Sequence, residues 1–297
     1  MKIAVIILNY KGAQDTIECV NSVKDSILEK EITLEIIVVE NGSNDGTKEK
    51  LKSLNGIYLL ESEINLGFSG GNNLGIKYAM KAKADCILIL NNDVFIDNHA
   101  ISHLLKASTH ADIVSPKIYF AKGYEFHKNK YREDDLGKVI WYAGGQIDWA
   151  NIIGSHLGVD EVDVGQHNTE KKIDFATGAG VLVKREVFEK IGLFDDKYFL
   201  YLEDMDFCVR AKKAGFKIIY EPKAVFWHKN AQSSGGSGSE LQDYYISRNR
   251  LLFAFKYAKI KTKLAVLKQL ITQTASPIKR KALLNFLMFK FGKGVDI

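Results

Sequence analysis

The 297-residue chain contains three prolines, too few for polyproline linkers between domains. Its cysteines, Cys19, Cys86 and Cys208, are odd in number, far apart and in no metal-ligand spacing. That excludes a disulfide framework or a zinc site, and it points to a reducing, cytoplasmic compartment. Nowhere do 18 apolar residues run together, so no membrane-spanning helix is expected. The apolar opening at residues 3–8 is too short for a signal-peptide core and reads as a buried first strand. Familiar nucleotide loops are missing as well. Gly67-Phe68-Ser69-Gly70-Gly71 has neither the spacing nor the position of a dinucleotide fingerprint, and no Gly-Lys-Ser/Thr phosphate loop occurs. Hydrolase-type Ser/His/Cys arrangements and internal repeats are absent, and the basic residues lack the aromatic motifs of RNA binders, which excludes a nucleic-acid partner.

What is present is an ordinary globular composition, 46% apolar and 26% charged, in a length that suits one large domain or two modest ones. The net charge of +5 is unevenly spread. From Lys256 onward ten Lys/Arg face one acid, Asp296, giving +9 there and −4 elsewhere. A polyanionic partner would therefore meet the tail.

The first ~100 residues alternate strand and helix patterns. Residues 2–8, 34–39, 57–60 and 86–90 read as strands apolar on both faces, separated by helical stretches, which implies a helix-covered parallel sheet. Asp15-Thr16-Ile17-Glu18 resembles a capping box for a helix reaching about Ser26, and Asn44 reads as the cap of the next helix. Residues 139–150 read as a hairpin or two short strands, 151–171 as a mobile loop, and 203–214 as an amphipathic helix opening on acids. Residues 231–239 are a Gly/Ser-rich flexible stretch, and the remainder reads as two or three helices.

Ligand crevices in open parallel sheets lie outside the carboxyl ends of the strands. That rule gathers Asn9-Tyr10, the loop from Glu40-Asn41-Gly42 to Gly46, and Asn91-Asn92-Asp93 on one edge. Each piece has a plain reading beside a functional one. Asn91-Asn92-Asp93 is either a turn or a set of hard oxygen ligands for a cation that holds a diphosphate. Glu40 either belongs to a capped loop or accepts the imide N–H of uracil or thymine. Glu203-Asp204-Met205-Asp206 puts three carboxylates at a helix start behind Phe194, Tyr198, Phe199 and Tyr201. Capping uses one or two of them, and a general base in a partly desolvated pocket would use another. His228, taken singly, reads as a core histidine.

Taken together, these segments resemble the family 2 glycosyltransferases of GT-A fold, in particular the branch with rhamnosyltransferases of cell-surface polysaccharide assembly. The matching pieces are VIILNYKG (5–12), IIVVENGSNDGT (36–47), NLGFSGGNNLGI (65–76), ILILNNDV (87–94), residues 177–216 and Trp227-His228, all in the family's order. The match runs to about Lys229 and is poor over 121–172. The resemblance implies a catalytic domain over 1–230, with a nucleotide-binding part to about 97 and an acceptor-binding part over 98–230. A flexible loop (231–239) and a basic helical extension (240–297) would follow. It implies that Asn9, Tyr10, Glu40, Asn41, Gly42, Asn65, Gly67, Asn72, Asn91, Asn92 and Asp93 line a UDP- or dTDP-sugar site. Asp93 and His228 would hold Mn²⁺ or Mg²⁺, Asp204 would be the base with Glu203 beside it, and Trp149, Gly178, Tyr201 and Trp227 would lie on the acceptor side. Two departures stand out: Glu40 replaces the usual Asp, and Asn91 replaces the first Asp of the metal motif. The implied reaction is inverting transfer of rhamnose or another hexose to a glycan or lipid-linked acceptor. The alternatives are a non-catalytic nucleotide-sugar binder of the same fold, or a nucleotidyltransferase, which would carry an early Gly/Arg/Lys-rich loop absent from residues 9–14. The basic, apolar-studded tail suggests a peripheral seat on the anionic inner face of a membrane.

Overall fold

A computed structural model describes residues 1–230 and 238–294 of the chain. Strands β1 (Lys2–Asn9), β2 (Thr33–Asn41), β3 (Tyr58–Ser62) and β4 (Cys86–Asn91) alternate with helices α1 (Ala13–Lys24), α2 (Thr47–Lys52) and α3 (Gly67–Lys81). All of their mutual pairings, β1 with β2 and β4, and β2 with β3, are parallel. Ile3 through Ile7 of β1 are wholly buried, as expected for a strand covered on both faces. Each Val or Ile side chain in this run is worth about 1.5–3 kcal/mol on burial. Glycine lets α3 press closely on this sheet: a Cβ at Gly71 would come within 2.4 Å of Leu8, and one at Gly75 within 2.6 Å of Ile6.

The second half completes the sheet with β5 (Val94–Ile96), α4 (Ala100–Ala107), β6 (Ile113–Phe120), β7 (Ile140–Tyr142), β8 (Gly145–Asp148), β9 (Ile153–His156), β10 (Lys171–Lys172), β11 (Gly180–Lys184), α5 (Arg185–Ile191), α6 (Glu203–Lys213) and β12 (Ile218–His228). The path runs β10-β12-β6-β11-β4-β1-β2-β3, with β5 on β12 and β7 on β6. β11 is the seam, antiparallel to both β4 and β6, while β6 and β12 are parallel. Three helices follow: α7 (Glu240–Tyr257), α8 (Ile260–Thr272) and α9 (Pro277–Leu287). Leu251, Leu252 and Phe253 of α7 join the core of the sheet domain.

Several sequence expectations are corrected in detail. α1 starts at Ala13 behind a left-handed Gly12 with no side-chain cap, because the carboxylates of Asp15 and Glu18 turn outward to Lys229 Nζ at 2.7 and 2.6 Å. The left-handed residue before α2 is Gly46, and Asp45 rather than Asn44 accepts from the Thr47 N–H, at 3.1 Å. The strands within 139–150 form but do not pair with each other: β7 joins β6, and β8 joins β9. Residues 151–171, read as a mobile loop, contain β9 and are tied down where Asp163 Oδ2 meets Lys117 Nζ at 2.6 Å and Tyr119 Oη at 2.5 Å. The flexible stretch expected at 231–239 lies, as far as Ser237, outside the described residues. The tail is three helices, the first capped by Ser239 Oγ accepting from the Gln242 N–H.

Candidate active site

The parallel register brings the strand ends together. Asn9 pairs with Glu40 across β1 and β2, and Leu8 with Asn91 across β1 and β4. Above this edge opens a cavity of about 500 Å³. Tyr10, Asn41, Asn65 and Gly67 line it, together with Asn91, Asn92 and Asp93. Asn41 holds the rim in shape: its Nδ2 lies 3.2 Å from both Asn65 Oδ1 and Gly67 O, and its Oδ1 accepts from the Leu66 N–H at 3.0 Å.

Four residues expected at the nucleotide site lie behind this lining instead. The Glu40 carboxylate folds back onto its own loop, accepting from the backbone N–H groups of Ser43 (2.8 Å) and Gly42 (3.2 Å). Two converging amides satisfy the buried charge and turn it away from the cavity. Gly42 is left-handed (φ 74°) and packed so closely that a Cβ would meet the Ile64 backbone at 2.5 Å. Asn9 is fully buried, accepting from Thr16 Oγ1 (2.7 Å) and donating to Ser43 Oγ (3.3 Å). Asn72 donates to Phe68 O at 3.0 Å within α3. These side chains shape the loops that line the cavity.

Across the cavity β5 and β12 pair antiparallel, with Val94 opposite His228, and this sets Asp93 beside the imidazole. Asp93 Oδ1 and His228 Nε2 are 3.1 Å apart, both groups are buried, and both line the cavity. His228 Nδ1 is buried without a hydrogen-bond partner, and the ring stands edge-on to Trp141 at 4.5 Å. Among the described residues no three His, Cys, Asp or Glu side chains cluster closely enough to hold a metal alone. One carboxylate and one imidazole nevertheless fit a divalent ion that draws its other ligands from water and a bound diphosphate.

The acid cluster enters from α6. Phe199, Tyr201 and Leu202 all have positive φ (64°, 69°, 68°), and Leu202 is the left-handed residue from which α6 starts. Glu203 and Asp204 face the cavity. Burial raises the Asp204 proton affinity, against the opposing pull of the Gly178 and Met205 amides, at 3.2 and 2.8 Å. Glu203 is pushed well above the usual carboxylate range, by burial first and then by the charges of Asp204 and Asp206; its Oε2 has no hydrogen-bond partner. Burial also acts on Asp206, but hydrogen bonds from Lys256, Tyr257 and Arg210 bring it below the usual value. Asp204 is thus a partly buried carboxylate beside a carboxyl group that favours the neutral form.

Of the four acceptor-side expectations, Gly178 and Tyr201 line the cavity. Trp149 does not; it packs on Phe253 with ring centroids 5.9 Å apart and is 43% exposed. Trp227 points to the far face of β12, stacked on Phe95 at 5.4 Å with its Nε1 donating to Gly137 O. Side chain alternation explains it, since neighbouring strand residues face opposite ways and His228 takes the cavity side. Sequence reasoning missed Trp141, His156 and the α7 residues Leu241, Gln242 and Ile246, which also line the cavity. His156 lies in the stretch taken for a loop. Burial lowers its pKa to about 4, so at neutral pH it is an uncharged imidazole, with Nδ1 3.2 Å from Trp141 O.

The model of the family described as "Glycosyl transferase family 2" matches residues 4–192. A relative from Haloferax volcanii, the low-salt glycan biosynthesis hexosyltransferase Agl10, is 27% identical over 253 residues, covering 84% of this chain and 74% of its own length. An N-acetylglucosaminyl-diphospho-decaprenol L-rhamnosyltransferase of Mycobacterium tuberculosis is 25% identical over 220 residues, covering 70% of each. Among solved structures, GalNAc-T7 with UDP, GalNAc and Mn²⁺ superposes with a TM-score of 0.61 at 16% identity. That match covers 91% of this chain and 54% of the other, and it shows the fold.

Proposed function

The chain belongs to glycosyl transferase family 2, and from that premise we propose that it moves a hexose such as rhamnose from a UDP- or dTDP-sugar to a hydroxyl of a glycan or lipid-linked acceptor, with inversion. The observation that carries the proposal is one cavity faced by both Asp204 and the Asp93–His228 pair. In this reading the donor lies along Tyr10, Asn41, Asn65 and Gly67, with its diphosphate toward Asn91, Asn92 and Asp93. Mn²⁺ or Mg²⁺, held by Asp93 and His228, would offset the charge on the departing diphosphate. Asp204 takes the proton from the acceptor hydroxyl as its oxygen attacks the anomeric carbon in line. A raised proton affinity suits this task, because it makes the carboxylate a stronger base than it is in water. A Glu203 carboxyl that favours the neutral form lessens the negative charge beside the base.

We assign catalysis to residues 1–230, with 240–297 as an extension whose α7 closes the cavity. No described helix is long and apolar enough to cross a membrane. The exposed Leu264, Leu284, Leu287 and Phe289, set among the tail's lysines, support a peripheral seat on an anionic membrane surface, next to a lipid-linked acceptor. The relative acting on a diphospho-decaprenol acceptor supports the same reading. The test of the base is Asp204→Asn, which keeps shape and removes basicity. Nucleoside diphosphate release should fall roughly 10²–10⁴-fold, with donor affinity nearly unchanged. Wild-type turnover would remove Asp204 from the role.

A further inference from the structure

Helix α7 grips the segment that leads into the acid cluster, through two consecutive polar residues sealed from solvent. Asn249 Nδ2 lies 2.9 Å from Tyr198 O, 2.8 Å from Leu200 O and 2.9 Å from Tyr201 O. Arg248 donates through Nη2 to Lys197 O (3.1 Å) and Tyr198 O (2.9 Å), and through Nη1 to Gly292 O (2.7 Å). Its Nε donates to Asn249 Oδ1 at 3.0 Å, which fixes the orientation of the amide. Both residues are 0% exposed.

Burying a guanidinium and an amide is costly unless every donor is used. Apart from Gly292 O, the carbonyls they meet belong to a segment that is neither helix nor strand and so has no ladder to satisfy them. The segment is also strained. Three non-glycine residues within four positions hold positive φ, a state that persists only where the surroundings over-determine it. Leu202 ends this turn as the residue that starts α6, so its conformation sets the direction in which Asp204 leaves the helix. The Phe199 ring is stacked on Tyr245 of α7 at 5.2 Å. On the other side of the cluster Tyr257 Oη of the same helix donates to Asp206 at 2.7 Å.

We propose that Arg248 and Asn249 are positioning residues for transfer, holding residues 198–202 in the left-handed turn that sets Asp204 against the acceptor hydroxyl. This rests on the assignment of Asp204 as base. The donor wall of Tyr10, Asn41 and Asn65 lies on other elements, and Gly67 meets the turn through Phe199 rather than through the clamped carbonyls, so the clamp acts chiefly on turnover.

Steady-state kinetics with the best donor from a UDP- and dTDP-sugar panel, beside a thermal melt, tests it. Asn249→Ala should lower kcat by roughly 10–100-fold, the scale of a 1 Å misplacement. Its KM for the donor should stay within about twofold, the signature of an interaction made in the transition state alone. Asn249→Ser, which keeps one donor, should recover part of kcat, and it carries the test if the alanine variant fails to fold. Leu252→Ala removes a buried side chain from the same helix outside the pair; it should lower Tm and leave kcat unchanged. Unchanged kcat in Asn249→Ala, or an equal loss of kcat in Leu252→Ala, overturns the proposal. Asp204→Asn in the same series separates the two readings. A dead Asp204→Asn with a normal Asn249→Ala refutes the clamp alone, whereas an active Asp204→Asn refutes the base and the clamp together.

Discussion

Replacing Glu203 by glutamine probes the electrostatics on which the proposed base depends. The Glu203 side chain is 4% exposed, and burial followed by the charges of Asp204 and Asp206 raises its proton affinity well above the ordinary 4.5. A carboxyl group with a raised folded-state value contributes stability that is fully present below the unfolded value. That stability is lost as pH rises through the folded value. Across that window the wild-type protein loses up to about 1.4 kcal/mol per pH unit from this one group. For a chain this long, each kcal/mol corresponds to about 2 °C in Tm.

Glutamine keeps the shape and cannot ionise, so the variant escapes the loss. The difference in Tm, Glu203→Gln minus wild type, should be near zero at about pH 4.5 and grow by about 2–3 °C per pH unit above it. Scanning fluorimetry in half-unit steps measures it, with Glu203→Ala as the control for lost packing. Turnover adds an independent readout: if Glu203 works in its neutral form, Glu203→Gln keeps kcat within about tenfold, against the 10²–10⁴-fold loss of a missing base. A Tm difference that stays flat from pH 4.5 to 8 refutes a protonated Glu203, and with it the reasoning that assigns the proton transfer to Asp204.

Chelation should abolish transfer, Mn²⁺ or Mg²⁺ should restore it, and Asp93→Ala should mimic chelation; full activity in excess EDTA contradicts the assigned metal role. Gly67→Ala would put a Cβ 2.4 Å from Phe199 O at a φ of 74°, so it should cost about 1–3 kcal/mol by overpacking and weaken UDP binding in calorimetry; a wild-type Tm counts against the close approach. The tail should bind anionic vesicles at low salt, gaining about 1 kcal/mol for each Lys or Arg near the surface, and lose this on Leu287→Glu with Phe289→Glu. No sedimentation with anionic vesicles in excess refutes a membrane seat.

The parts legible in the sequence are those where one residue pattern has one structural outcome. The short apolar run from Ile3 to Ile7 forms the buried strand it reads as, and the parallel order of β1 to β4 follows from the helices between them. Strand ends then follow by geometry, which is why Asn91, Asn92, Asp93, Tyr10 and Asn41 meet at one cavity. The register does not say which way a side chain turns once its backbone is in place. Glu40 sits at the predicted strand end, yet two nearby amides draw its carboxylate away. Trp149 and Trp227, which the family resemblance implies on the acceptor side, pack elsewhere, one on Phe253 and one on Phe95. His156 and the α7 lining were illegible because nothing local marks them: they reach the cavity through long-range packing of β9 and α7.

The acid cluster shows most clearly what local sequence leaves open. Glu203, Asp204 and Asp206 are nearly adjacent, and helix capping alone treats them as equivalent. The fold makes them differ. α7 supplies Lys256 and Tyr257 to Asp206, and α6 itself supplies Arg210, so that carboxylate is held ionised against its burial. Glu203 is buried with no cation beside it, so it favours the proton. Asp204 lies between these limits, raised by burial but steadied by the amides of Gly178 and Met205. Carboxylates whose environments push their proton affinities apart are what acid–base work requires. Residues of α7 that lie 50 and 51 positions downstream of Asp206 set one of those environments, and the same helix holds the turn proposed to aim the base. Under the proposed assignment of Asp204, the tail joins the catalytic apparatus through α7, whatever surface α8 and α9 meet.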